Sequence, residues 1–99
     1  MLRDWTHSEL NEIQRLQTKC DENKGWHLEC SHTDIGDPWC IIYDVASQKV
    51  LLHIARIDRE YVIVFPLVGK SSKRGTMEWA VDLAVHQLSA QRFTVAGSD

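Results

Sequence analysis

Residues 39–65 read WCIIYDVASQKVLLHIARIDREYVIVF, and this stretch decides the fold. It holds three runs of β-branched, aromatic and aliphatic residues, Trp39 to Asp44, Val50 to Ile57 and Tyr61 to Phe65, separated by the short polar connections Ser47-Gln48 and Asp58-Arg59. Apolar runs joined by connections this short are strands joined as antiparallel hairpins. Pro66 lacks an amide hydrogen for a further ladder bond and ends the third run. Upstream, Trp26, Leu28 and Cys30 alternate with His27, Glu29 and Ser31, the period of a half-buried strand, before the turn-forming residues His32 to Pro38. These segments predict a four-stranded meander.

A helix is expected on either side. Thr6 and Glu9 have the spacing of a capping box, with Trp5 and Leu10 placed as a hydrophobic staple. Leu10, Ile13, Leu16, Gln17 and Cys20 then follow helical spacing until Gly25, which predicts a helix over residues 6–22. Thr76 can cap a second helix, whose Met77, Ala80, Val81, Ala84, Val85 and Leu88 form an apolar stripe opposite Glu78, Asp82 and His86. Between the sheet and this helix, Leu67 to Gly75 reads as an exposed basic loop. The expected fold is therefore a single α+β domain, αββββα, with an ordered core over residues 5–92 and a loose tail over 93–99.

The strands carry more apolar surface than one covered face requires. Trp39, Ile41 and Tyr43 alternate with Cys40 and Ile42; Val50, Leu52 and Ile54 with Leu51, Ala55 and Ile57; Tyr61, Ile63 and Phe65 with Val62 and Val64. An antiparallel sheet with helices on one side should show a polar second face. Either the helices lie on opposite faces, or the tail folds back, or a second copy of the chain covers the surplus. Trp39, Ile41 and Tyr43 on the sheet, with Trp79 and Leu83 flanking the main stripe of the second helix, are the candidate interface.

Composition narrows the remaining classes. The chain has 99 residues, 43% hydrophobic and 25% charged, the usage of one globular domain. A net charge of −3 gives no overall attraction to nucleic acid or to an anionic membrane. No apolar stretch is long enough to span a bilayer, and Met1 leads into Arg3-Asp4 rather than an apolar signal core, so neither membrane insertion nor secretion is expected. Cys20, Cys30 and Cys40 cannot all pair within one chain, which suits a reducing, cytoplasmic setting. Their ten-residue spacing falls across different elements and carries no repeat.

Few residues suggest chemistry. Cys30, His32, Cys40 and His53 offer zinc-type ligands, but no C-x2-C or H-x3-H pair supports a site. Glu78, Asp82 and His86 form one helical row, which a solvated helix face explains. Cys30 or Cys40 with His32 or His53 and Asp34 or Asp37 would compose a thiol catalytic set, yet so small a chain needs most of its apolar groups for its core. Gly69-Lys70-Ser71-Ser72 lacks the earlier glycine of a phosphate-binding loop, that position being Val64, and no cofactor is expected. Lys70, Ser72, Lys73 and Arg74 ahead of a helix N-terminus remain an anion candidate, joined by Arg56, whose face also carries Leu52 and Ile54. A guanidinium there needs an acidic partner such as Asp44 or Asp58.

Ser72-Lys73-Arg74 with Ala80 and Ala84 loosely resembles the start of the second helix in double-stranded RNA-binding domains. The resemblance implies RNA or phosphate binding through the basic loop, but it covers only this stretch. The extra strand, the segment Gly75-Thr76-Met77-Glu78 and the acidic net charge depart from that family. The leading expectation is a non-enzymatic interaction or regulatory module that forms a homodimer and takes a protein partner, with anion or RNA binding as the alternative.

Overall fold

The computed structural model describes residues 5–91, and the expected tail over 93–99 lies outside them. The chain runs α1 (His7–Glu22), β1 (Trp26–His32), β2 (Pro38–Asp44), β3 (Lys49–Ile57), β4 (Glu60–Phe65), β5 (Lys70–Arg74) and α2 (Met77–Gln91). The five strands form one antiparallel sheet in sequence order. The α+β meander between two helices is as expected, but it has five strands rather than four. The segment read as a basic loop is an edge strand, paired from Tyr61↔Arg74 to Phe65↔Lys70. Lys-Ser-Ser-Lys-Arg shows no period-two pattern because all five residues are exposed, so the ladder with β4 specifies this strand rather than burial.

Both helix starts follow their sequence signals. The Thr6 side chain accepts from the Glu9 amide at 3.2 Å while Glu9 Oε1 accepts from the Thr6 amide at 2.7 Å, and Thr76 accepts from the Trp79 amide at 3.2 Å. Helix α1 is rotated from the expected stripe. Glu9, Ile13, Leu16 and Cys20 are its buried residues, at spacings of four, three and four, while Leu10 is 48% exposed. A carboxylate thus occupies a position on the buried side.

The two helices lie side by side on the same face of the sheet. Ile13, Leu16 and Cys20 of α1 and Ala80, Val81, Ala84 and Leu88 of α2 share one core with Cys40, Ile42, Leu52, Ile54, Ile63 and Phe65. An ion pair from Arg15 to Asp82 joins the helices at their exposed rim. Leu16, Ile42, Leu52, Ile54 and Ile63 have no exposed surface, and each such burial contributes about 1.5–3 kcal/mol relative to exposure.

The register is regular except between Ile42 and Tyr43, where Leu52 faces Ile42 but Val50 faces Tyr43. This bulge places two residues of β3 opposite one step of β2. Val50 therefore shares a face with Tyr43 rather than with Leu52 and Ile54, which corrects the strict alternation expected for β3.

Candidate functional site

The register defines the face away from the helices. One row runs Ser31, Trp39, Ala55, Val62, Lys73; the next runs Glu29, Ile41, His53, Val64, Ser71; a shorter third holds His27, Tyr43 and Val50. Trp39, Ile41, Tyr43, Val50, Val62 and Val64 are half-buried, shielded by one another and by their neighbours in the sheet. Trp39 meets the His53 ring edge-on at 5.9 Å and His27 meets Tyr43 at 5.3 Å. Burial lowers the pKa of His53 from its ordinary 6.5, because an apolar surround disfavours the imidazolium. None of the apolar residues of these rows belongs to the helix-side cluster or packs against it. Among the described residues, no helix covers this face.

The expected interface residues are divided by this arrangement. Trp39, Ile41 and Tyr43 lie on the open face, whereas Trp79 and Leu83 pack against the core on the helix side. The Arg74 guanidinium sits 6.0 Å from the centre of the Trp79 ring, a cation–π contact across the end of β5. The wide apolar arc of α2 is used internally, to reach the sheet edge.

A polar cleft opens at one end of the helix side. It measures about 630 Å³ and includes Glu9, Asp37, Arg56, Asp58, Arg59 and Tyr61 in its lining. Within it Arg56 donates to Glu9 Oε1 and the Tyr61 hydroxyl donates to Glu9 Oε2, with the Arg56 guanidinium 5.8 Å from the Trp5 ring centre. Among the described residues, the acidic partner of Arg56 is thus Glu9 of α1, not Asp44 or Asp58 of the neighbouring turns. Burial pushes the Glu9 carboxyl up, but hydrogen bonds from Arg56, the Thr6 amide and Tyr61, with the Arg56 charge, outweigh it and hold the group below its ordinary 4.5. Burial and the adjacent carboxylate raise the Tyr61 phenol to about 12. This network ties α1 to β3 and β4, with the Glu9 carboxylate held by the chain's own donors.

Four of the five anion candidates, Arg56, Lys70, Ser72 and Arg74, face the helix side, and Lys73 does not. In the cross-strand rows, Arg56, Tyr61 and Arg74 align on the helix side, and so does Ser72 beside Ile63. Lys73 points to the open face beside Val62, where it reaches Glu60 at 3.5 Å. Alternation along β5 sends Lys70, Ser72 and Arg74 one way and Lys73 the other.

For the proposed thiol and metal residues, Cys30 and Cys40 are direct cross-strand partners, while His32 pairs with Pro38 at the end of the ladder. Among the described residues, no group of three or more His, Cys, Asp or Glu side chains converges in a metal-binding arrangement. No described helix is long and apolar enough to cross a membrane.

Sequence reasoning assigned Glu9 to capping alone. The available signal was its position four residues before Ile13 and seven before Leu16, which puts it on the buried stripe. Compared with known protein families, curated proteins and solved structures, the chain matches none.

Proposed function

We propose that this domain is a non-enzymatic interaction module that assembles with a second copy of itself through the open face of its sheet. The observation that carries the reading is the placement of both helices on one side, which leaves Trp39, Ile41, Tyr43, Val50, Val62 and Val64 with no described helix over them. A second copy suits this surface because its charges are arranged in a complementary way. Glu29 stands on edge strand β1 and Lys73 on edge strand β5, with the apolar residues between them. A two-fold axis parallel to the strands lays β1 of one copy over β5 of the other, so each acidic edge meets a basic edge, while His53 on the central strand lies near the axis.

Two sheets packed this way cross at about −30° and lie about 10 Å apart. Five strands at about 4.8 Å spacing, each about seven residues long, cover roughly 24 by 24 Å, or about 1,200 Å² for the two copies together. That is at the lower edge of stable interfaces and gives a dimer of modest affinity, suited to exchange with a protein partner. The same proposal keeps the protein in a reducing, cytoplasmic setting, because three cysteines leave at least one thiol unpaired within a chain.

Light scattering behind size exclusion, over a concentration series, tests the reading. A concentration-dependent dimer is expected. Ile41→Lys should abolish it with the far-ultraviolet circular dichroism unchanged, since the lysine is solvated in the monomer and trapped in the dimer. Glu29→Lys and Lys73→Glu should each weaken association, and combining them should restore it. A monomer at every concentration, or a dimer that ignores Ile41→Lys, overturns the reading; a dimer lost in Ile41→Lys but indifferent to the charge exchange overturns the two-fold arrangement.

A further inference from the structure

The hairpin of β1 and β2 is centred on Ile35, so residues equidistant from it pair, and Cys30 faces Cys40 directly. Both project to the helix side, but they differ in surroundings: Cys30 is exposed on the edge strand, while Cys40 has no exposed surface. The facing Cys40 thiol lowers the pKa of Cys30 against the opposing effect of burial. The facing Cys30 and burial raise that of Cys40. The ten-residue interval from Cys30 to Cys40 thus sets them opposite each other in the ladder, while Cys20 lies in α1.

We infer that Cys30 and Cys40 are a dithiol pair that a low-molecular-weight disulfide converts to a cross-strand disulfide, with Cys30 attacking and Cys40 resolving. The Cys30 thiolate attacks one sulfur of R–S–S–R, forming a mixed disulfide and releasing RS⁻, which takes up the proton that Cys30 gave up. Cys40 then loses its proton and attacks the Cys30 sulfur, expelling the second RS⁻, which takes up that proton. The balance is two protein thiols oxidised and one external disulfide reduced to two RSH. Directly opposed residues in an antiparallel ladder have Cα atoms about 4.5–5.5 Å apart, within the roughly 4.4–6.8 Å of a disulfide, so no backbone rearrangement is required. Cross-strand Cβ atoms stand about 4.5–5.5 Å apart against about 3.8 Å in a relaxed disulfide, so the bond should form under modest strain and be readily reversed by a dithiol. This inference is independent of how the open face is used, because both sulfurs lie on the helix side.

Oxidised glutathione added to the reduced full chain near neutral pH, followed by thiol alkylation and digestion with trypsin without reduction, reads the outcome directly. Residues 25–49 lie between Lys24 and Lys49 with no internal lysine or arginine, so one peptide carries both Cys30 and Cys40, while Cys20 falls in the separate peptide 20–24. Peptide 25–49 should appear two hydrogen masses lighter and without label, with Cys20 alkylated. Cys30 should also react with iodoacetamide at least about tenfold faster than Cys20, whose thiol burial holds at about 11. Cys40→Ser should trap glutathione on Cys30, and Cys30→Ser should leave Cys40 unmodified. A doubly alkylated peptide 25–49, a stable glutathione adduct in the wild type, or a link between peptides 20–24 and 25–49 overturns the inference; the wild-type result decides even if a variant fails to fold.

Discussion

Replacing Glu9 by alanine should remove a large stabilising contribution to this fold. Glu9 is 4% exposed and accepts from the Thr6 amide, Arg56 and the Tyr61 hydroxyl, so one substitution acts on a helix cap, a largely buried ion pair and a half-buried phenol. Loss of the cap alone costs about 1 kcal/mol. Removing one partner of a buried pair costs about 3–5 kcal/mol, and the Arg56 side chain of this pair is only 13% exposed. Because the three contacts share one carboxylate they do not add, and the expected loss is about 4 kcal/mol. That is a large part of the roughly 5–15 kcal/mol that stabilises a domain, and corresponds to a fall in Tm of about 15–30 °C. Urea unfolding at neutral pH measures it. Glu9→Leu combined with Arg56→Met and Tyr61→Phe should recover most of the loss, since an apolar set of similar volume removes the desolvated charges together. A loss below about 1 kcal/mol for Glu9→Ala would refute the claim that this pair is buried and coupled.

The same network contributes to the pH dependence of stability at both ends. The folded Glu9 carboxyl titrates below its unfolded 4.5, so its contribution is complete above pH 4.5 and lost as pH falls through the folded value; Glu9→Gln should flatten this acid limb of the urea-unfolding curve. The Tyr61 phenol is raised to about 12 from 10.0, so its contribution is complete below pH 10 and lost as pH rises toward 12; ultraviolet titration should show a phenol ionising near 12 that disappears in Tyr61→Phe. Burial lowers the folded pKa of His53, favouring its neutral form, and its face also carries His27, Glu29, Glu60 and Lys73. Dimerisation buries it further, so sedimentation should show association weakening as pH falls below 6.5, through the lowered pKa of the folded monomer, and His53→Gln should remove that component. Asp58 and Arg59 both have positive φ, 52° and 67°, in the two-residue turn between β3 and β4. This geometry favours glycine at the second position, so Arg59→Gly should raise stability by about 0.5–1 kcal/mol in the same urea assay.

Much of the molecule could be read locally. Trp39 to Phe65 specify three strands because β-branched and aromatic residues run between connections of four and two residues, and Thr6 and Thr76 specify helix starts because each offers an oxygen to an otherwise free amide. The candidate interface residues Trp39, Ile41 and Tyr43 were equally legible, since alternation alone puts them on one face. Strand β5 was hidden, because an exposed edge strand of lysine, serine and arginine has no apolar side to reveal its period. The position of Val50 was hidden as well, because a bulge resets alternation through backbone register and leaves no mark in composition.

The sequence by itself determined which segments are helix and which central segments are strand, and that the strands are apolar on two sides, because these properties depend on residues within a few positions of one another. Only the tertiary structure decided that both helices share one face, that Arg56 takes its partner from α1 across 47 positions, and that Cys30 meets Cys40. These outcomes depend on contacts between residues distant in the chain, where several arrangements satisfy the same local pattern and the competition between burial and charge pairing selects one.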